Sequence, residues 1–277
     1  MMKKMTFKKK FLLSCFLGFT GILGFLILSS TKLAVTQYTY SSERVPASFD
    51  GYKIVQLSDI HCKSFGKDNQ KLIDEINALE PDLILITGDS VDSSHQDLSP
   101  LENLFRGISN TAPIYVISGN HEFEKNAPYN AFLTLCDSYG IHNLDNQKVT
   151  ITEGEESIQL VGIDGFNMKA HWDFDFFTRD NPETFSILLN HYPGQIVYLA
   201  QYGYDIILSG HMHGGIIRIP HFGGLIGNKR ELFPKYDAGK FTAIDTTMYV
   251  SRGLGDARIP RINNRPEIVC ITLRHVE

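Results

Sequence analysis

The residues able to do chemistry come in short, recurring groups. Asp59 and His61 flank one residue, Asp89 and Asp92 flank two, and Asn120 and His121 are consecutive. His191 follows an asparagine, and His211 and His213 again flank a single residue. Carboxylate, amide oxygen and imidazole without thiolate suit Mn2+, Fe2+ or Zn2+ better than a cysteine-based structural zinc site does. Ligands in this number are too many for one four-coordinate ion. They suit two ions about 3.5–4 Å apart that share a bridging carboxylate, an arrangement used for in-line displacement at phosphorus. A water between two such ions loses a proton near neutral pH and becomes a nucleophile. Singly, each residue is weak evidence, because a strand-end Asp commonly caps a helix and a lone His is commonly a satisfied core or surface group. Five of the ten histidines falling at such positions together carries the weight.

Each group closes an apolar run. Residues 53–61, 82–90, 113–121, 156–164, 185–193, 204–213, 247–255 and 267–273 read as strands. Residues 69–80, 100–109, 126–140 and 194–203 have helical spacing between them. Runs this apolar imply strands buried on both faces, and the alternation implies an α/β architecture. The late strands, with little helix between them, predict a second sheet packed on the first. Ligands of open α/β sheets bind beyond the carboxyl ends of the strands, so all these groups would share one crevice. Spacing alone lets His211 and His213 chelate one ion or face two, since i and i+2 of an extended chain share a side.

The N-terminus is different. Its first ten residues hold five lysines and no acid, and residues 11–30 hold no charge. Twenty mostly apolar residues suffice to span about 30 Å of hydrocarbon. The lysine flank predicts a cytoplasmic N-terminus and an exported remainder. A cleavable signal is the competing reading, but its apolar core usually runs only about 7–15 residues. Residues 1–33 are therefore read as a basic tip and signal-anchor, 34–44 as a linker and 45–277 as one domain. The six lysines of residues 1–33, without acids, leave a formal charge of −11 on the rest. So acidic a domain is not expected to hold nucleic acid, whose phosphates need Lys and Arg. Cys62, Cys136 and Cys270 are widely spaced, with no CxxC pair, and imply neither a disulfide framework nor a thiolate site.

In order, "DIH", "GDSVD", "GNHE", "NHYP" and "GHMHGG" (residues 59 to 215) resemble the five-block signature of the calcineurin-like metallophosphoesterases. Those blocks are D-x-H, G-D-x-x-D, G-N-H-[DE], a lone His and G-H-x-H. The anchor and the tail "YVSRGLGDARIPRINNRPEI" look like the bacterial membrane-anchored phosphodiesterase branch. The resemblance implies a four-layer α/β/β/α sandwich of two mixed sheets flanked by helices. It implies Asp59, His61, Asp89 and His213 at one metal, and Asp89, Asn120, His191 and His211 at the other, with Asp89 bridging. It makes His121 a catalytic group facing the phosphate, oriented by Asp92. Met212 stands where Thr is common and is expected to point away from the metals.

Residues 214–241, rich in glycine, aromatic and apolar side chains, and residues 251–265 would overhang the crevice as a substrate wall. Arg218, Lys229, Arg230, Arg252 and Arg258 are candidates there for a second phosphate or head group. The reading that results is a two-metal phosphoester hydrolase, a phosphodiesterase before a monoesterase, tethered to the outer face of the cytoplasmic membrane. An apolar loop near an anchor hints at a lipid-linked or envelope phosphodiester. The alternative, a non-catalytic tethered scaffold on the same fold, is opposed by the complete ligand set.

Overall fold

The computed structural model describes residues 7–29, 31–166, 178–227, 231–255 and 261–277. Helix α1 (Phe7–Ser29) is followed by strands β1 (Ala34–Ser42), β2 (Lys53–Leu57), β3 (Leu83–Thr87), β4 (Ile114–Ile117) and β5 (His142–Asn143). Helices α2 (Gln70–Ala78), α3 (Ser99–Ile108) and α4 (Tyr129–Ser138) alternate with β2 to β5. Next come β6 (Gln147–Glu153), β7 (Glu156–Ile163), β8 (Ser186–Asn190), a short helix α5 (Ile196–Leu199) and β9 (Ile206–Ser209). The chain ends with β10 (Ile217–Ile219), β11 (Gly223–Ile226), β12 (Gly239–Ala243), β13 (Thr246–Val250) and β14 (Glu267–His275).

Two six-stranded sheets result, ordered β1-β14-β2-β3-β4-β5 and β12-β13-β9-β8-β7-β6, while β10 and β11 form a separate hairpin. Alternation of side chains along each strand sorts the core into three layers. Ile54, Leu83, Leu85 and Ile117 of the first sheet meet Leu160, Ile187, Leu189, Ile206 and Leu208 of the second. On the outer face of the first sheet, Val55, Leu57, Ile84 and Ile86 pack against Leu72, Ile73 and Ile76 of α2 and Leu101, Leu104, Phe105 and Ile108 of α3. Those helical residues recur at the three- and four-residue spacing of an amphipathic helix. On the outer face of the second sheet, Val161, Leu188, Ile207 and Met248 meet Ile196, Leu199 and Tyr204. This is the expected order of helix, sheet, sheet and helix.

Two expectations are corrected. Residues 34–44, read as a linker, carry β1, which pairs in parallel with β14 from Ala34 opposite Glu267 to Ser42 opposite His275. Its sequence, AVTQYTYSS, has the polar, half-exposed character of an edge strand and lacks the apolar run that marked its neighbours. The last strand, β14, does not join the second sheet but runs antiparallel to β2 inside the first. β6 was missed as well; it pairs antiparallel with β7 across a tight turn at Gly154 (φ 60°).

In the first sheet β2, β3 and β4 are parallel, and in the second so are β7, β8, β9 and β13. The carboxyl ends of both groups meet at one edge of the molecule. Gln56 joins them there, donating from Nε2 to the Ser209 carbonyl at 2.9 Å and to Thr87 Oγ1 at 3.0 Å. Helix α1 contains a stretch, Lys8–Leu26, long and apolar enough to cross a membrane by length and composition.

Candidate metal centre

The five motif loops leave five neighbouring strands at this edge and converge. Asp59, His61 and His213 each bring a ligand atom within 4.8 Å of the others. So do His61, Asp89 and His121, and so do Asp89, His191 and His211. His61 links the first group to the second, and Asp89 links the second to the third. Asn120, at the turn after β4, has a buried side-chain oxygen that accepts no hydrogen bond among the described residues. A buried amide oxygen without a partner, at the same strand ends as these carboxylates and imidazoles, fits a cation site.

The backbone bends sharply to present these groups. Asp59 (φ 49°), His61 (48°), Asp89 (53°), His211 (70°) and His213 (48°) all lie in the left-handed region. Non-glycine residues reach it at a cost, and such strain persists only where surrounding contacts impose it. Those contacts are present. The Asp59 carboxylate accepts the His211 N–H at 3.0 Å, and Asp89 Oδ1 accepts that of His121 at 2.9 Å. Buried Glu122 accepts N–H groups of Asp89 (3.1 Å), Ser90 (2.6 Å) and Gly119 (2.8 Å), tying the second loop to the third. Gly210 has no side chain for a steric reason: a Cβ there would run into Ser58 Oγ and Asp59 Oδ2.

The imidazoles are oriented individually. His191 Nδ1 faces the Thr87 carbonyl at 2.8 Å, which leaves Nε2 3.0 Å from Asp89 Oδ2. His61 Nδ1 lies 3.1 Å from Asp92 Oδ2, and His213 Nε2 lies 3.4 Å from Asp59 Oδ1. Burial disfavours charge on His191, but Asp89, aided by Asp59, pushes its pKa up to about 10. Burial likewise opposes ionisation of Asp89, yet His191 and its neighbours hold that carboxyl well below the usual range. Burial, then His61 and Arg261, drive His213 well below the ordinary imidazole value, so it is neutral, as a ligand must be. Burial and the Asp89 charge push Glu122 up to about 7 against the lowering effect of its N–H donors.

One expectation about a supporting residue does not hold. Asp92 sits beside His61 and His95 (2.9 Å from Nδ1), and the carboxylate behind His121 is Glu124, whose Oε1 lies 2.9 Å from Nδ1. Glu124 is held in turn by the Ser93 hydroxyl, which donates to Oε2 at 2.5 Å. Burial raises the Glu124 pKa, but Ser93 and His121 outweigh it and lower the value. Glu124 follows Glu122 by two residues, and sequence alone could not tell which acid would reach the imidazole.

Arg218 and Arg252, expected at a substrate phosphate, are committed internally. Arg218 donates to the Gly214 carbonyl (2.6 Å) and to Asp237 (2.8 Å), and Arg252 pairs with Glu267 (2.8 Å). Arg230, Lys229 and Arg258 lie outside the described residues. The arginine that sequence reading missed is Arg261. Buried, it donates to the carbonyls of Gly255 (3.0 Å), Arg252 (2.8 Å), Gly253 (3.2 Å) and His213 (3.3 Å). Asn264 adds a bond to the same His213 carbonyl at 2.6 Å. Their only sequence signal was a basic tail without apolar spacing.

The family model described as calcineurin-like phosphoesterase matches residues 52–215, from the start of β2 through the last histidine loop. The chain belongs to this family. An uncharacterized metallophosphoesterase of Bacillus subtilis, YkuE, is 32% identical over 258 residues, covering 89% of this chain and 87% of its own. The UDP-2,3-diacylglucosamine pyrophosphatase LpxG of Chlamydia muridarum is 27% identical, covering 88% of this chain and 90% of its own. A bovine transmembrane protein with metallophosphoesterase domain is 30% identical over 90% of this chain and 59% of its own. Phosphoesterases of this family work with a binuclear divalent metal centre, and the Asp and His groups at the strand ends fit one.

Proposed function

We propose that the chain is a two-metal phosphoester hydrolase that cleaves a diester or pyrophosphate bond, tethered to the outer face of the cytoplasmic membrane by α1. The observation that carries the reading is the three overlapping donor groups joined through His61 and Asp89, with the orphaned Asn120 oxygen beside them. Asp59, His61, Asp89 and His213 would hold one ion, and Asp89, Asn120, His191 and His211 the other. When bound, the two ions supply Lewis acidity and an activated water.

The chain's own residues do the rest. Neutral His213, with Arg261 behind it, keeps its lone pair for a ligand role. The Thr87 carbonyl fixes the His191 ring. His121, half-buried at the mouth of the crevice and braced by Glu124, stands where it can protonate a leaving oxygen. The diester or pyrophosphate preference draws on the similarity to LpxG, and the tether on α1, its lysine flank and the transmembrane relative.

The test uses full-length protein in detergent, stripped with EDTA and reloaded with Mn2+, Zn2+ or Fe2+. Reloaded protein should hydrolyse an activated aryl phosphodiester and a nucleotide-sugar pyrophosphate, and Asp89→Asn should abolish both activities. Absence of turnover with every metal on diester, pyrophosphate and monoester alike would sink the reading.

A further inference from the structure

The sheet topology fixes where the anchor leaves the domain. β1 is parallel to β14, and β14 is antiparallel to β2, so β1 begins at the edge where β2 ends. With Val269 opposite Gln56, continuing the register brings Glu267, the partner of Ala34, alongside Ser58. Ala34 thus stands two strand spacings, about 10 Å, from the residue preceding Asp59. Four residues separate Ser29 of α1 from Ala34. At full extension that link reaches about 18 Å. Arg265 pins this junction, donating from Nε to the Lys32 carbonyl at 3.0 Å and from Nη2 to the Leu33 carbonyl. Asn264, its neighbour, holds the His213 loop.

The same edge carries exposed apolar side chains. Ile219 and Phe222 (78% exposed) form the tip of the β10–β11 hairpin that follows His213, and Leu232 (68%) and Phe233 (58%) pair back onto β11. Phe166 (58%) follows β7 at the same end, with its ring 5.3 Å from that of Phe123 in the His121 loop. The opposite edge presents Ile244, in the β12–β13 turn, and Val276, after β14. Large exposed aromatics grouped around a crevice mark an interaction surface, and here the end of an apolar spanning helix lies beside them.

We propose that the mouth of the metal crevice faces the bilayer, that the rim formed by Phe222, Phe233, Leu232 and Phe166 dips into its surface, and that the substrate is a phosphoester carried on a membrane lipid. The proposal rests on the membrane-tethered hydrolase reading and adds an orientation and a substrate source. With a reach of about 18 Å, the short link holds the edge that carries the metal groups against the membrane. A lipid head group then enters the crevice without leaving the interface.

Two measurements test this in the full-length chain. Single tryptophans at Phe222, Phe233 and Ile244, each in a Trp172→Phe background, are reconstituted into phosphatidylcholine–phosphatidylglycerol vesicles with brominated acyl chains. Emission from Phe222→Trp and Phe233→Trp should be quenched and blue-shifted, while Ile244→Trp is unaffected. Quenching at Ile244 alone, or at none of the three in vesicle-bound protein, overturns the orientation. In the second measurement, the double variant Phe222→Ser/Phe233→Ser should lose about tenfold more turnover on a lipid-borne diester in vesicles than on a water-soluble aryl diester. Equal loss on both substrates overturns the lipid-source assignment. If quenching follows the expected pattern but no substrate is cleaved with any metal, the orientation stands and the hydrolase reading fails. Failure of the chain to partition into vesicles overturns both.

Discussion

Glu124 contacts His121 and Asp92 contacts His61, two rings whose centroids are 4.8 Å apart at 89°. Each carboxylate orients one imidazole, so their losses should separate. Glu124→Gln should leave metal content unchanged and lower kcat about tenfold to hundredfold on esters of poor leaving groups, with a smaller effect on activated aryl esters. Asp92→Asn should instead weaken metal binding about 10- to 100-fold, read by metal content after limiting chelation. If the two phenotypes were exchanged, Asp92 would be the support of His121 after all. His191 gives a second residue-level expectation. With its pKa pushed up to about 10 in the metal-free protein, it is protonated throughout the neutral range. A metal ligand must shed that proton, so apparent metal affinity should rise about tenfold per pH unit between pH 6 and 9. Calorimetry in buffers of differing ionisation enthalpy should register proton release on metal binding. The candidate ligands were legible in the sequence because each is a polar residue ending an apolar run. The residues that hold them were not, because Glu124 and Arg261 act across loops that only the folded sheets bring together.

At the level of elements, the His213 loop has no strand pairing of its own and depends on the segment before β14. Arg261 satisfies four carbonyls there, and Asn264 reinforces one of them. Arg261→Met removes a donor from each of these buried carbonyls, of which those of His213 and Gly253 keep a second partner, and should cost about 3 kcal/mol, measured by chemical denaturation, with reduced metal content. Gly210→Ala should be equally harmful to metal binding, since its methyl group would displace Ser58 and the Asp59 carboxylate. Retention of full metal content by that variant would show that the loop can yield. The interior strands were readable as apolar runs, whereas β1, β6 and β12 lie at or next to sheet edges, where half-exposed polar faces erase the signal.

At the scale of the molecule, the fold begins earlier than its hydrophobic pattern does. A chain cut to residues 45–277 loses β1, its pairing with β14 and the ion pair of Arg44 with Asp205. A chain cut to residues 31–277 keeps all three. The shorter form should melt roughly 10 °C below the longer one, by calorimetry on the metal-loaded proteins. Equal melting temperatures would show that β1 is dispensable. The β1–β14 pairing also has a consequence for how the protein is made. It joins residue 34 to residue 267, so the first sheet closes only after residue 267 has been made. The other five strands of that sheet must wait for β14, and β1 and β2 keep an open flank until it arrives. Arg261 and Asn264 come just before β14, so the His213 loop is braced only after all the metal-binding motifs have been made. A chain stopped short of residue 261 therefore carries every proposed metal-binding motif but lacks the two residues that brace the His213 loop.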